Sequence, residues 1–375
     1  MKKAPTVAVS VTNDLTTDQR VQRSIAVLRE RGYKVTFIGR QLPSSQLFKP
    51  SYLTIRFTLP FARGFGFYFS YNLRLLWHLL LKRYDLYWSN DLDTLLPNYL
   101  ASKLWNKPLV YDSHEYFTGV PEIQERPVVK WVWQTLEAAI FPHLRWVITV
   151  NESIAQLYEQ DYGIKPRVVR NIADRYLPEQ LLSRAELQLP ENAFILINQG
   201  SGINVDRGME EMLAAMPHLP SDVVLLLVGK GDVLPQIQKQ ARAMGLEKRV
   251  LFVPPQPYRR MLHYTLQADC GLSLDKDTNV NYRYSLPNKI FDYLKCGLPM
   301  VCSGVPEVRH IVETYGLGEI AMHEPETLAQ AVRQVRAKGK NAYREALQKA
   351  ARENNWEKEQ KVIADLLREV EIVNG

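Results

Sequence analysis

The chain has 375 residues, 46% hydrophobic and 23% charged, with a net charge of +7. That length exceeds one ordinary core and points to two domains, and the composition excludes a disordered chain. The charge is uneven: residues 1–185 hold 24 Lys and Arg against 16 Asp and Glu, whereas residues 186–375 hold 23 against 24. An anionic partner such as a membrane surface would therefore meet the first half, unless the excess only solubilises it. A nucleic-acid binder is poorly supported, because the excess is modest and no recognition module is present. Cys270, Cys296 and Cys302 lie in apolar runs without metal-ligand spacing, which points to reduced thiols and a cytoplasmic setting. The start resembles a signal peptide only in Lys2 and Lys3, and no apolar stretch reaches the ~18 residues of a membrane span.

Taken in order, Thr6 to Val11 reads as a buried parallel strand, Asn13-Asp14 as a turn, and Asp18 to Arg31 as an amphipathic helix ended by Gly32. Val35 to Ile38 is the next strand, so the chain opens as a doubly wound α/β sheet. This first loop lacks a glycine-rich fingerprint and instead places Asp18, Arg20 and Arg23 near the helix start, where a solvated face is the plainest expectation. Residues 61–83 contain no acid. There Leu73, Leu76, Trp77 and Leu80 share one helical stripe, and Arg74, His78 and Lys82 another. Such a helix can lie on an anionic bilayer or cover the sheet. The covering role is preferred here, with a membrane-edge contribution from Phe65, Phe67 and Phe69 left open.

Strand Asp85–Ser89 exits at Asp91 and Asp93, a D-x-D pair for which helix capping is a commoner use than metal binding. Strand Lys107–Asp112 exits at Ser113-His114-Glu115, where a histidine flanked by Asp112 and Glu115 stands at a strand's carboxyl end, the place where open α/β sheets collect ligands. Helices over Pro127–Ile140 and Ser153–Gln160, and strands over Trp146–Val150 and Arg167–Val169, complete a first domain of residues 1–180. A linker over 178–192 leads to the second, residues 181–355.

The second series begins with strand Phe194–Gly200, followed by Ser201-Gly202 and a loop to Asp206-Arg207-Gly208 that opens the helix Met209–Met216. A strand exit rich in small residues with an arginine at a helix start suits a diphosphate. Strand Val223–Val228 exits at Gly229-Lys230-Gly231, a weaker signal of the same kind. After strands Val250–Val253 and Cys270–Leu274 comes the most informative stretch, Asn281 to Ser303. Pro287 suits a helix start and Gly297 its stop. Arg283 and Lys289 stand beside that start, with Asp292 one turn in. Donors, cations and one acid fit a phosphate-plus-sugar ligand. The tail from Glu324 to Val373 reads as helical throughout, with a last helix from Trp356 whose Val362, Ile363, Leu366 and Leu367 need a surface to cover.

Tyr111-Asp-Ser-His-Glu-Tyr-Phe117, Asp206-Arg-Gly208, Val228-Gly-Lys-Gly231 and Ser285-Leu-Pro-Asn-Lys-Ile-Phe-Asp-Tyr-Leu294, together with Asn13-Asp14, resemble the retaining glycosyltransferases of family 4, with the GT-B architecture. The resemblance runs to about residue 360 and is most specific in its last segment. It implies two Rossmann-like domains facing across a cleft, with the helix of residues 356–375 packing back on the first. It also implies sugar transfer from a nucleoside-diphosphate-sugar to an acceptor hydroxyl in bacterial cell-surface glycan synthesis, with neither a cofactor nor a divalent metal, while the basic first half and the aromatic helix favour a glycan or lipid-linked acceptor held at the inner membrane face. By that likeness Asn13, Asp14, Arg20, His114 and Glu115 would meet the acceptor. Gly200, Gly202, Arg207, Gly229, Lys230, Tyr284, Ser285, Leu286, Lys289 and Asp292 would meet the donor, and His114, Arg207 and Lys289 would serve catalysis. The family's paired acids are incomplete, since Tyr284 stands in the first Glu position and Asp292 in the second. Backbone N–H groups of Ser285 and Leu286 are expected to replace part of the missing acid. The alternatives are a nucleotide-sugar epimerase on the same fold and a non-catalytic nucleotide- or carbohydrate-binding scaffold.

Overall fold

The computed structural model describes residues 4–16 and 18–374. The two lysines that bear on a signal peptide lie outside the described residues. The chain divides into two compact units, one of residues 1–171 with 359–375 and one of residues 172–358. The boundary thus falls nine residues before the expected one at 180, because Ile172 is buried within the core of the second unit.

The first unit alternates strands and helices: β1 (Thr6–Asp14), α1 (Gln19–Glu30), β2 (Lys34–Gln41), β3 (Leu53–Thr58), α2 (Gly64–Leu81), β4 (Leu86–Asn90) and α3 (Leu95–Trp105). It continues through β5 (Leu109–Asp112), α4 (Pro121–Gln124), α5 (Pro127–Ile140), β6 (Trp146–Thr149), α6 (Glu152–Tyr162) and β7 (Arg167–Val168). Its seven strands are all parallel, in the order β3-β2-β1-β4-β5-β6-β7. The β-branched run Val7, Val9 and Val11 is buried in β1, at the middle of the sheet, as a strand covered on both faces requires. Asp18 caps α1 by accepting from the Val21 N–H.

In the second unit come β8 (Phe194–Gly200), α7 (Met209–Ala215), β9 (Val223–Gly229), α8 (Leu234–Ala243), β10 (Val250–Val253) and α9 (Tyr258–Gln267). Then follow β11 (Cys270–Ser273), α10 (Val280–Arg283), α11 (Asn288–Lys295), β12 (Met300–Ser303), α12 (Pro306–Tyr315) and β13 (Gly318–Ala321). Helices α13 (Pro325–Lys338), α14 (Arg344–Glu353) and α15 (Trp356–Asn374) close the chain. The six strands, again parallel, run β10-β9-β8-β11-β12-β13. Both orders reverse direction beside the unit's first strand, which puts a ligand-collecting crevice at the carboxyl ends of β1 and β4 in one unit and of β8 and β11 in the other.

Four features differ from the sequence reading. β3 is an edge strand whose alternating Thr54, Arg56 and Thr58 hide it from a search for apolar runs. The pair α12 and β13 extends the second sheet beyond the expected elements. The tail, expected to be helical throughout with a last helix from Trp356, does start that helix at Trp356, but the stretch before it is two helices broken at Gly339, whose φ is 73°. In α2, Phe67, Tyr71, Leu75 and Leu79 turn inward, whereas Leu73 and Trp77 of the stripe drawn from the sequence are more than half exposed.

From Glu359 onward α15 belongs to the first unit. Glu359 takes the Arg170 N–H at 2.6 Å and its guanidinium at 2.6–3.0 Å, Glu369 pairs with Arg167 at 2.6 Å, and Glu371 pairs with Arg31. Ile363, Leu366, Leu367 and Val370 are buried. No helix among the described residues is long and apolar enough to cross a membrane.

Candidate functional site

In the second unit, residues collect where β8, β9 and β11 end and α11 begins. Gly200 and Gly229 close their strands at φ of 130° and 143°, and the Lys230 N–H donates to Gly200 O at 3.1 Å. A Cβ on Gly229 would sit 1.8 Å from Gly200 O, and one on Gly231 1.7 Å from Ile203 O. These glycines are therefore required for two strand-end loops to touch, while a Cβ on Gly202 would meet open space. The loop between is pinned by Lys276, whose ammonium meets Glu211 at 2.5 Å and Asp206 at 3.5 Å. The Lys230 side chain is exposed.

Arg207, held at the start of α7 by this loop, pairs with Asp275 at 2.6 Å and lies 4.0 Å over the Tyr282 ring. Burial opposes its charge, but Asp275, with Tyr282 beside it, holds the guanidinium pKa above its ordinary value. Lys289, in the first turn of α11, donates to Asn198 Oδ1 at 2.6 Å. Burial pushes its ammonium pKa below the ordinary lysine value, Asp275 resists, and the charge of Arg207 adds to the push. Ser285 Oγ reaches the same Asp275 at 3.1 Å. Among the described residues, Asn198 Nδ2, Arg207 Nε, Ser273 Oγ and Asp275 Oδ1 are buried without hydrogen-bond partners. Two crowded cations ringed by unsatisfied polar atoms make a place where an oxyanion gains twice, by pairing and by relieving repulsion.

Other predicted donor residues lie differently. Pro287 is the N-cap of α11, not its first turn, with φ −64° and ψ 138°. The Ser285 N–H is already spent on Tyr282 O at 3.2 Å, which removes one donor expected to replace the missing acid, while Leu286 is partly buried against the core. Tyr284 follows α10 and lies under Arg283, which is itself exposed and 3.7 Å from Asp277. Asp292 is buried and points into a separate network. The Tyr258 hydroxyl donates to it at 2.6 Å, Gln199 Nε2 at 3.2 Å, and Lys295 stands 3.8 Å away. It borders a cavity of about 260 Å³ with Asp174, Phe291, Lys295 and Asn355, which neither Arg207 nor Lys289 lines.

The carboxyl ends of β1, β4 and β5 hold the first unit's cluster. His114 Nδ1 faces Asp91 Oδ2 at 3.2 Å, and its backbone N–H donates to Asp91 Oδ1 at 2.8 Å. Nδ1 is therefore assigned the proton, and Nε2, 3.9 Å from Asp112 Oδ1, is left without a hydrogen-bond partner among the described residues. Asp91 holds this pose at φ 58°, strained for a non-glycine residue, with its N–H bound to Asp112 O. Burial pushes its carboxyl up to about 7; His114 opposes that, while Asp93 and Glu115 add to it. Asp93 is likewise pushed up to about 7 by burial, against a 2.6 Å bond from Thr12. No group of three His, Cys, Asp or Glu side chains able to hold a metal occurs among the described residues.

Two acceptor candidates prove to be internal anchors. Asp14 accepts from Thr16 at 3.0 Å, from Arg56 at 2.6 Å and from Ser45. Burial alone would raise its pKa, but these donors hold it below the usual carboxylate range. Arg20 is neither solvated nor free for a ligand. It is 5% exposed, paired with Asp112 at 2.7 Å and bound to Val169 O at 2.6 Å. Asn13 and Glu115 are exposed. The sequence reading missed Asp275 and Asn198. A buried asparagine inside the apolar run of β8 and an acid just past the end of β11 were the signals.

The raised carboxyls set a pH dependence. In the unfolded chain Asp91 and Asp93 lose their protons near 3.8, whereas the folded chain keeps them to about 7. Across that window the unfolded state binds fewer protons, so stability falls as pH rises. Glu137, also pushed up to about 7 by burial, acts in the same direction. The Tm is expected to drop by a few degrees between pH 5 and pH 8, and Asp93→Asn should flatten the slope in a calorimetric pH series.

Residues 19–175 match the sequence model of Glycosyltransferase Family 4, and residues 180–354 that of Glycosyl transferases group 1. A D-inositol 3-phosphate glycosyltransferase from Xylanimonas cellulosilytica is 23% identical over 235 residues, covering 57% of this chain. The match spans about half, 54%, of that curated relative's length. Sucrose-phosphate synthase from Thermosynechococcus elongatus superposes with a TM-score of 0.80 at 19% identity, covering 98% of this chain and 100% of the other. HepE of Anabaena, solved with UDP-glucose, does so at 0.73 and 18%, covering 97% and 100%. Two parallel-sheet units, each matched by its own glycosyltransferase family model and together by whole-chain structural neighbours, leave one conclusion about the fold: the chain carries the two Rossmann-like domains of the GT-B architecture.

Proposed function

We propose that this protein transfers a sugar from a nucleoside-diphosphate-sugar to an acceptor hydroxyl with retention of anomeric configuration, in the building of bacterial cell-surface glycan. The observation that carries the reading is the pairing of Arg207 with Lys289 at the strand ends of the second unit, amid unsatisfied polar atoms. As the bond from the anomeric carbon to the diphosphate breaks, negative charge grows on the leaving oxygens. Two fixed cations and the first N–H groups of α11 stabilise that charge more in the transition state than in the ground state. The new bond forms on the same face of the sugar, and the acceptor proton passes to a diphosphate oxygen. The reading gives no part to a metal ion or cofactor. His114 Nε2, an acceptor held in place by Asp91, takes a substrate hydroxyl. Tyr284, in the place of the usual acid, leaves the sugar contact to neighbouring groups.

The acceptor in this reading is a glycan or a lipid-linked sugar at the inner membrane face. The basic first half supports that part, and the complex of HepE with UDP-glucose supports the donor class. A thermal-shift screen of nucleoside diphosphates and their sugars tests it. At a hundredfold excess over its Kd the right nucleotide stabilises by about 2.7 kcal/mol. A flat response to every nucleoside diphosphate at millimolar concentration would sink the proposal, and the anomeric coupling of the product by NMR decides retention.

A further inference from the structure

Helices α2, α3 and α5 lie side by side on one face of the first sheet. Trp105 Nε1 of α3 donates to Leu79 O of α2 at 3.1 Å, and the Tyr68 ring of α2 meets Trp133 of α5 edge-on at 5.3 Å. Each helix spends its inward face on the unit's interior. Each also carries a second apolar face directed away from it. On α2, Phe65, Phe69, Leu73, Trp77 and Leu81 recur every fourth residue, and all are more than half exposed. At about 100° per residue this row runs opposite the buried Phe67, Tyr71, Leu75 and Leu79. On α3 the same interval brings out Leu96, Leu100 and Leu104, and on α5 Val128, Trp131 and Val132 are exposed. A soluble surface scatters such residues singly, whereas three aligned rows form one patch.

The charges say what covers it. The three helices contain one acid, Glu137, and it is fully buried. Arg63, Arg74, Lys82, Arg83 and Lys103 are exposed on or beside them, with Asp85 and Glu125 confined to the flanking loops. A second copy docked face to face would bring these cations against one another. An aromatic and aliphatic floor with a cationic rim, and no exposed acid on the helices themselves, is complementary to a bilayer whose headgroups are anionic. No helix among the described residues is long and apolar enough to span, so helices seated on such a surface would lie in the plane of the interface. We propose that the outer face of α2, α3 and α5 seats the protein on an anionic membrane surface, with Phe65, Phe69 and Trp77 entering the acyl boundary. The inference deepens the reading of a membrane-held acceptor, yet its test needs no transfer reaction.

The intact protein would be floated with vesicles of phosphatidylcholine alone, and of equal parts phosphatidylcholine and phosphatidylglycerol. We expect the mixed vesicles to carry about tenfold more protein than the neutral ones, and less in high salt, as several basic side chains near an anionic surface require. Phe69→Ser with Trp77→Ser, both at exposed positions, should cut flotation by about tenfold while leaving the Tm unchanged. Lys82→Gln with Lys103→Gln should lower binding to the mixed vesicles only. Three results would each overturn the proposal: flotation with neither vesicle, flotation by the Phe69/Trp77 variant equal to that of the parent, or a parent dimer that this variant dissociates. A nucleotide that still stabilises a protein unable to float would leave the transfer reading standing and remove this one alone.

Discussion

Arg20→Met is expected to destabilise the first unit by about 3–5 kcal/mol, the cost of breaking a buried ion pair from one side. Arg20 Nε and Nη2 both meet Asp112 Oδ1, at 3.2 and 2.7 Å, and Nη1 holds Val169 O, so one side chain ties α1 to β5 and to the residue after β7. Asp112 is 1% exposed, and its Oδ2 already lacks a partner among the described residues. Once the guanidinium is gone, the carboxylate is a charge in a low-dielectric site with only the distant His114 nearby. Arg20→Met combined with Asp112→Leu should recover much of the loss, because removing both partners leaves no orphan charge. Urea denaturation of the two single variants and the double variant measures the coupling. A loss below about 1 kcal/mol in Arg20→Met, the range of a surface pair, would show that this contact anchors nothing.

Lys289→Ala and Arg207→Ala should each lower kcat by about 10²-fold or more, as loss of a fixed donor to a developing oxyanion does. The two variants separate by their side effects. Among the described residues Lys289 donates to Asn198 while its buried charge is repelled by Arg207, so the losses and gains of Lys289→Ala offset and its Tm should change little. Arg207 neutralises Asp275, which is 1% exposed, so Arg207→Ala should lose stability as well as turnover. Lys289→Gln, which keeps a donor near Asn198 and removes the charge, should behave like Lys289→Ala if charge is what matters. Steady-state kinetics at saturating donor, with a Tm for each variant, gives the answer. Normal turnover in either alanine variant would remove that residue from the reaction.

Both sheets and most of their helices were legible because buried parallel strands read as continuous apolar runs and helices end on recognisable residues. Gly297 sits at φ 63° after α11, where a helix stop was expected. Arg207 and Lys289 stand out in the sequence because strand ends and helix starts are places where a phosphate is cheap to hold. What stayed hidden was partner choice. Arg20 and Asp112 are 92 positions apart, and Asp14 and Arg56 are 42. Residue type tells that a charge near a strand end has chemistry to do, but not whether another side chain already claims it. For α2 the difficulty was different. A helix apolar on two faces gives a periodicity that fits either, so the pattern marked the helix and not the side it buries.

The crossing of α15 into the first unit has a consequence for synthesis. The first 171 residues leave the ribosome as a nearly complete sheet, yet the surface that receives Ile363, Leu366, Leu367 and Val370 stays uncovered until residues 359–375 emerge. Over that interval the whole second unit is translated and free to fold. The half of the molecule that is made first is thus finished last, and a nascent chain halted between residue 171 and Glu359 leaves the apolar surface beside Arg31, Arg167 and Arg170 open to whatever chaperone or protease reaches it.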